Sequence, residues 1–406
     1  MAGPFTHVDG GTITTAKGFR AGGTYVGIKT YSEDKMDMGM LLSDTPCSLA
    51  GVFTKSTLVS PSVTVNRETL AAGAPVRGLV VNSGIANAGV GEQGYIDAKE
   101  MAAVAAAGLG VNPQEVLVFS TGVIGVELPM SLIKKGVEQI RLSEDGGNEL
   151  ARAMMTTDTR TKEAAISVSL GGGTINICGV AKGSGMIHPN MATMLCFVAT
   201  DAAVSQDYLR SILPDIADTT LNMLTIDGDT STNDSLVVLA NGAANNSPIS
   251  AGSADADAFK EALNDVLVQL TRQLAQDGEG ATRLLVAEVR GARNTNDARL
   301  AAKTIASSLL IKSALYGADP NWGRLIMALG RSGAETVESK IYLYINGVCI
   351  MEAGRPVPFH RDAVVALMRG DEVTFGVNLN LSDGQAIAWG CDLTEEYVVI
   401  NSAYTT

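Results

Sequence analysis

One stretch of the sequence joins a polar loop to an apolar strand: Lys182-Gly183-Ser184-Gly185-Met186-Ile187-His188-Pro189-Asn190-Met191-Ala192-Thr193-Met194-Leu195. Two glycines and a proline disfavour a helix or a central strand, so residues 182–190 are predicted to form a constrained loop. Residues 194–199 are apolar and predict a short buried strand. Thr193 stands at the junction, directly after the small Ala192, and is the first candidate for chemistry.

The composition narrows the class of protein. The chain has 406 residues, of which 46% are hydrophobic, and this length predicts a sizeable core. Its 43 acidic residues outnumber 30 basic ones, and the basic residues are scattered, which argues against a nucleic-acid partner. No membrane-length apolar run and no signal-peptide pattern is found, so we expect a cytoplasmic protein without a membrane partner.

Few residues suit metal or histidine chemistry. The five cysteines form no CxxC pair, and the three histidines fit no HExxH or GxSxG pattern. The acidic segment 227–235 lacks the glutamate that an EF-hand loop carries at its twelfth position, where Val238 stands. We therefore predict no metal and no cofactor, and a hydrogen-bonded polar loop over this segment.

Strand and helix patterns are mixed along the chain, which favours an α/β fold. Strands are predicted at 25–28, 51–54, 62–65, 78–81, 116–119, 166–170, 174–180, 194–199, 284–289, 340–350, 372–378, 386–392 and at the C-terminus from 397. Helices are predicted at 95–108, 149–155, from 205 towards 213, 253–275, 297–315 and 361–369. The helix over 253–275 carries the longest amphipathic stripe.

A second candidate feature is Ser120-Thr121-Gly122, which ends the predicted strand at 116–119. Such a strand end can present a hydroxyl and backbone N–H groups, the donors of an oxyanion hole. A structural turn is the alternative interpretation.

Thr193 needs a base to become a nucleophile, and no histidine is placed to serve. If the bond before Thr193 is cleaved, its new α-amine can act as that base, with a pKa of about 7.7–8.0. The alternative is a threonine that simply opens a buried strand.

The stretch from Lys182 to Leu195 resembles the self-cleavage segment of the ornithine acetyltransferase family, the bifunctional glutamate N-acetyltransferases of arginine biosynthesis. The resemblance spans essentially the whole chain. Further similar motifs, in order, are 120–125, 156–159, 227–234, 277–282, 317–324 and 401–406.

This resemblance implies self-cleavage between Ala192 and Thr193 into an α chain, 1–192, and a β chain, 193–406. It implies a layered sandwich of mixed sheets covered by helices, the fold of a self-processing N-terminal-nucleophile enzyme. It also implies paired α and β chains in an α2β2 assembly.

The resemblance further implies a ping-pong transfer of the acetyl group of N2-acetylornithine to glutamate, giving ornithine and N-acetylglutamate. Thr193 would carry the acetyl group, while Thr121 and the Gly122 N–H stabilise the oxyanion. The implied substrate-binding residues are Thr156, Lys182, Thr193, Glu279, Asn401 and Thr406. Lys182 suits an α-carboxylate and Glu279 suits the ornithine ammonium group.

Several alternatives stay open at this point. Acetyl-CoA is a second candidate donor, and either Thr156 or Thr157 can face the site. Ile85 stands where the family pattern leads us to expect a polar residue, which bears on the neighbouring loop and on substrate preference. A self-processing amidase or aminopeptidase, and a binding protein without activity, are the competing functions.

Overall fold

The computed structural model describes residues 5–29, 35–188 and 194–403. Its strands are β1 (Phe5–His7), β2 (Phe19–Thr24), β3 (Met38–Phe53), β4 (Val76–Ile85), β5 (Val116–Val123), β6 (Lys162–Leu170), β7 (Gly173–Lys182), β8 (Leu195–Thr200), β9 (Ser235–Ala240), β10 (Leu284–Ala292), β11 (Tyr342–Ile345), β12 (Val348–Glu352), β13 (Arg355–Pro356), β14 (Glu372–Asn378) and β15 (Gly384–Cys391). Its helices are α1 (Pro61–Ala72), α2 (Gly91–Leu109), α3 (Met130–Gln139), α4 (Gly147–Met154), α5 (Gln206–Thr219), α6 (Ala256–Gln276), α7 (Thr295–Ala306), α8 (Leu309–Tyr316), α9 (Gly323–Gly330), α10 (Arg361–Met368) and α11 (Glu395–Ala403).

Two mixed sheets form the framework. The larger one has the order β1-β6-β7-β8-β9-β3-β4-β5, with β2 paired to β3, and the smaller one has the order β13-β12-β11-β14-β10-β15. Parallel pairs such as β8 with β9 and β4 with β5 lie among antiparallel neighbours. The predicted layered sandwich of mixed sheets covered by helices is therefore confirmed.

Helix α6 joins the two sheets because its apolar stripe is buried between them. It contacts β6 and β7 of the larger sheet and β10 and β15 of the smaller sheet. The stripe side chains are fully buried, as the amphipathic pattern predicts, and they are Phe259, Leu263, Val266, Leu270 and Leu274.

Five predicted elements differ from the structure. The predicted strand over 340–350 is a hairpin, in which β11 and β12 pair antiparallel across a turn. Residues 25–28 form no strand, because the Asp37 carboxylate accepts the backbone N–H groups of residues 26–29 in place of strand partners. Residues 62–65 belong to helix α1, where Ser60 accepts the N–H of Ser62 and Pro61 occupies the first turn. The predicted helix over 297–315 is two helices, since α7 ends at Ala306 and α8 begins at Leu309. The predicted C-terminal strand is helix α11 over its described residues.

Candidate active site

A polar cavity of about 100 Å³ opens where β5, β7, β8 and β9 begin or end. Every predicted site residue that the structure describes lines this cavity: Thr121, Gly122, Thr156, Lys182, Glu279 and Asn401. Met194 lines it as well. Six residues from distant parts of the chain thus meet at one place. Their proposed roles remain predictions.

The end of β5 brings Thr121 and Gly122 to the cavity through a close approach to β4. The two strands are parallel, with Ser83 opposite Thr121 and Gly84 opposite Gly122. Gly84 and Gly122 both have positive φ, at 110° and 128°, and a Cβ on Gly122 would overlap the Gly84 backbone. Only glycine fits this conformation without displacing the neighbouring strand.

Lys182, the last residue of β7, is held by two threonine hydroxyls. Its Nζ donates to Oγ1 of Thr121 and to Oγ1 of Thr156, both at 3.1 Å. Burial lowers the pKa of Lys182, although the charges of nearby acids, first Asp158 and then Asp234, act in the opposite direction. An anionic ligand that enters the cavity would therefore stabilise the charged form of Lys182.

The Asp158 carboxylate holds together the backbone segments that carry Thr156 and Lys182. One carboxylate oxygen accepts the N–H of Thr156 at 2.9 Å, and the other accepts the N–H of Gly183 at 2.6 Å and bonds Lys162. Burial alone would raise the pKa of Asp158, but the charges of Lys162 and Lys182 hold it well below its usual range. Lys162 also bonds Asp277, so a buried ion network orients the segments that carry Thr156 and Lys182.

Glu279 lies in the same cavity as Lys182 and is oriented by three separate segments of the chain. Its Oε1 accepts the Thr157 hydroxyl and its Oε2 accepts Nδ2 of Asn401, both at 2.7 Å. Its backbone N–H donates to the Ser184 carbonyl at 2.8 Å. Both threonines of the Thr156-Thr157 pair line the cavity, the first bonded to Lys182 and the second to Glu279.

The acidic segment 227–234 is a hydrogen-bonded loop, as predicted. Asp227 accepts the N–H groups of Met186 at 2.6 Å and of Ile187 at 2.9 Å, which ties this loop to the segment after β7. Asn233 donates to the carbonyls of Ala86 at 2.5 Å and Ser120 at 2.8 Å, so it bridges the ends of β4 and β5. Sequence reasoning assigned no role to the loop's last residues, although they directly precede a buried strand.

His188 lies in the segment after β7, where it is hydrogen-bonded to residues near the 227–234 loop. Its Nδ1 lies 2.9 Å from the Thr225 hydroxyl, and its carbonyl accepts the Thr230 hydroxyl at 2.8 Å. Burial, and then the charge of Lys303, lower the pKa of His188 to about 4. The imidazole is therefore neutral near pH 7.

Three of the predicted site residues, Ala192, Thr193 and Thr406, lie outside the described residues. The described neighbour Met194 lines the cavity, and its carbonyl accepts the N–H of Ser235 at 2.8 Å.

Two further observations concern the described residues alone. Across 5–29, 35–188 and 194–403, no three His, Cys, Asp or Glu side chains are grouped as metal ligands would be. Over the same ranges, no helix is both long enough and apolar enough to cross a membrane.

Comparison with known proteins points to one family. The ArgJ family model matches residues 20–406. Proteins named arginine biosynthesis bifunctional protein ArgJ are 48% identical in Dehalococcoides mccartyi, covering 98% of each chain, and 43% identical in Bacillus subtilis, covering 98% of this chain and 97% of that one. A crystal structure of the protein of that name from Bacillus halodurans is 42% identical, with a TM-score of 0.50, covering 51% of this chain and 98% of that chain.

The layered α/β fold and the polar cavity are those that the sequence predicts for an enzyme of this kind. The chain belongs to the ArgJ family, the ornithine acetyltransferases of arginine biosynthesis. The family and the enzyme class inferred from the resemblance are thereby confirmed.

Proposed function

We propose that the chain transfers the acetyl group of N2-acetylornithine to glutamate through an acetyl-Thr193 intermediate. The observation that carries the proposal is a cavity that holds Lys182 and Glu279 together with Met194, the residue after Thr193. Lys182 suits the α-carboxylate that both substrates share, and Glu279 suits the side-chain ammonium of ornithine. Thr193 directly precedes Met194 in the sequence, which favours a nucleophile at the cavity.

The proposed chemistry uses groups of this chain alone. The Thr193 α-amine takes the hydroxyl proton as Oγ attacks the acetyl carbonyl, and it returns the proton to the departing ornithine nitrogen. Thr121 already accepts a bond from Lys182, so its own hydroxyl hydrogen is free to donate to the oxyanion. Glutamate then attacks the acetyl ester through its amine, which gives N-acetylglutamate and regenerates the Thr193 hydroxyl.

We also propose that self-cleavage between Ala192 and Thr193 produces the α chain, 1–192, and the β chain, 193–406, which assemble as α2β2. The relative from Bacillus halodurans supports the cut, because 98% of its crystallised chain corresponds to only 51% of this chain. A chain of that length is expected when a precursor is divided near its middle. No cofactor enters this scheme.

Transfer and hydrolysis are distinguished by how product formation depends on glutamate. The enzyme is incubated with N2-acetylornithine, with and without glutamate, and acetate, ornithine and N-acetylglutamate are quantified. We expect N-acetylglutamate to form in step with ornithine when glutamate is present, and little acetate in either case. Equal acetate release in both samples would establish an amidase instead.

A parallel sample replaces N2-acetylornithine by acetyl-CoA. We propose acetyl-CoA as a second donor, so N-acetylglutamate should also form in this sample. Its absence there would restrict the enzyme to recycling acetyl groups from N2-acetylornithine.

A further inference from the structure

Asp234 is a buried acid at the cavity that the transfer scheme does not use. It is 2% exposed, lines the cavity, and directly precedes β9. The Ser231 side chain interacts with its carboxyl group and acts to lower its pKa. Its Oδ2 has no hydrogen-bond partner among the residues that the structure describes. Leaving a buried carboxyl oxygen without a hydrogen-bond partner costs free energy of folding, which indicates that Asp234 is retained for a role other than stability.

The surroundings of Asp234 favour a neutral carboxyl group. Burial raises its pKa well above the usual value, and the opposing effects of Ser231 and Lys182 are smaller. Lys182 also interacts with Asp158, whose charge has a larger effect on the Lys182 pKa than the charge of Asp234 has. A protonated carboxyl group has one O–H donor and one free acceptor oxygen, so it can give and receive a proton.

Strand pairing places Asp234 beside the start of β8. The parallel register sets Leu195 opposite Ser235, and the Ser235 N–H donates to the Met194 carbonyl at 2.8 Å. The residue before Ser235 is Asp234, and the residue before Met194 is Thr193. The register therefore puts Asp234 level with Met194, the residue that follows the proposed cleavage site and Thr193 in the sequence.

Self-cleavage poses a chemical problem that the transfer reaction does not. Before the cut, the Thr193 nitrogen is an amide and cannot act as a base, so another group must handle the proton. We infer that Asp234 is the acid–base residue of self-cleavage. The inference rests on the proposed function, since it presupposes the cut between Ala192 and Thr193.

The step balances without any further reagent. The Thr193 hydroxyl oxygen bonds the Ala192 carbonyl carbon, and its proton passes to the free carboxyl oxygen of Asp234. The bond from that carbon to the Thr193 nitrogen breaks, and the other carboxyl oxygen gives its proton to the departing nitrogen. Asp234 ends neutral, as it began, and water then hydrolyses the ester to free the Ala192 carboxylate and the Thr193 hydroxyl.

The test follows the cutting of the full chain made in a cell-free translation reaction, with samples taken over time on a denaturing gel. Variants D234N, D234E, D229N and T193A are compared with the natural sequence. D229N is the matched control, because Asp229 is an exposed acid of the same loop. Thermal unfolding of each purified product establishes that the variant is folded.

We expect D234N to slow cutting by about 10²–10⁴-fold, the usual contribution of a general acid or base. D234E should stay within about tenfold of the natural chain, and D229N should cut normally. With the natural chain, cutting should slow as the pH rises through the raised pKa of Asp234, because the protonated form is lost. If D234N is unfolded, the same pH dependence in D234E carries the test.

A purely structural role predicts the opposite order, because asparagine matches the shape of aspartate and glutamate does not. Cutting of D234N as fast as D234E, or a rate in D234E that does not fall with rising pH, would overturn the inference. The proposed function fails separately, since it requires that T193A stays uncut whatever Asp234 does.

Discussion

Gly122 is the residue at which backbone geometry and proposed chemistry coincide. Replacing it by alanine adds a Cβ that overlaps the Gly84 backbone at a φ of 128°. Backbone strain of this kind costs about 1–3 kcal/mol, and the overlap adds to that cost by pushing β4 and β5 apart. We therefore predict that G122A lowers both the free energy of unfolding, measured in urea, and the rate of acetyl transfer.

Gly125 provides the matched control for this prediction. It also has a positive φ, at 85°, but a Cβ there would meet nothing within 4 Å. G125A should therefore cost only the backbone term, about 1–2 kcal/mol, and should transfer acetyl groups faster than G122A. Equal losses in the two variants would contradict the close approach of β4 and β5.

The sequence identified residue types at the site better than it identified their contacts. A lysine and a glutamate in loop-like segments predict charge complementarity to an amino-acid substrate, and both residues line the cavity. The hydrogen bonds that orient them come from Thr156, Thr157 and Asn401, which are remote in sequence. Spacing along the chain carries no information on such contacts, because they arise from the way distant strands end at one place.

At the scale of elements, strands with long apolar runs are predictable and short ambiguous runs are not. The runs that became β5, β7 and β8 are mostly apolar and deliver residues to the cavity as expected. Ser62 to Val65 has the β-branched composition of a strand, yet Ser60 and Pro61 start a helix there. Local capping outweighs the β-propensity of two valines and a threonine.

The C-terminal element has the apolar pattern of a strand but forms a helix. Tyr397 to Ile400 is apolar enough for a strand, but the structure forms α11, none of whose described residues is buried. Both sheet orders are complete without this segment among the described residues. The helix instead brings Asn401 to within 2.7 Å of Glu279, so that the chain's last described turn contributes to the cavity.

At the scale of the whole molecule, the sheet order predicts what happens after the cut. Strands β8 and β9 belong to the piece 193–406, and they lie between β7 and β3 of the piece 1–192. Backbone pairing therefore joins the two pieces along both edges of the β8–β9 pair. Separating them would expose these strand edges and the core beneath them.

We therefore predict that the cut protein behaves as one particle. It should elute as a single peak in size-exclusion chromatography and yet give two bands on a denaturing gel. The two pieces should separate only at denaturant concentrations that unfold the larger sheet, followed by circular dichroism. Separate elution of the pieces under native conditions would contradict the interleaved strand order.

The central claim is that Thr193 carries the acetyl group between donor and acceptor. The most direct measurement is the intact mass of the 193–406 piece after brief incubation with N2-acetylornithine in the absence of glutamate, followed by peptide mapping. We predict a gain of one acetyl group on the Thr193 hydroxyl, which disappears when glutamate is added. An unmodified piece during active turnover, or an acetyl group on another residue, would contradict the account.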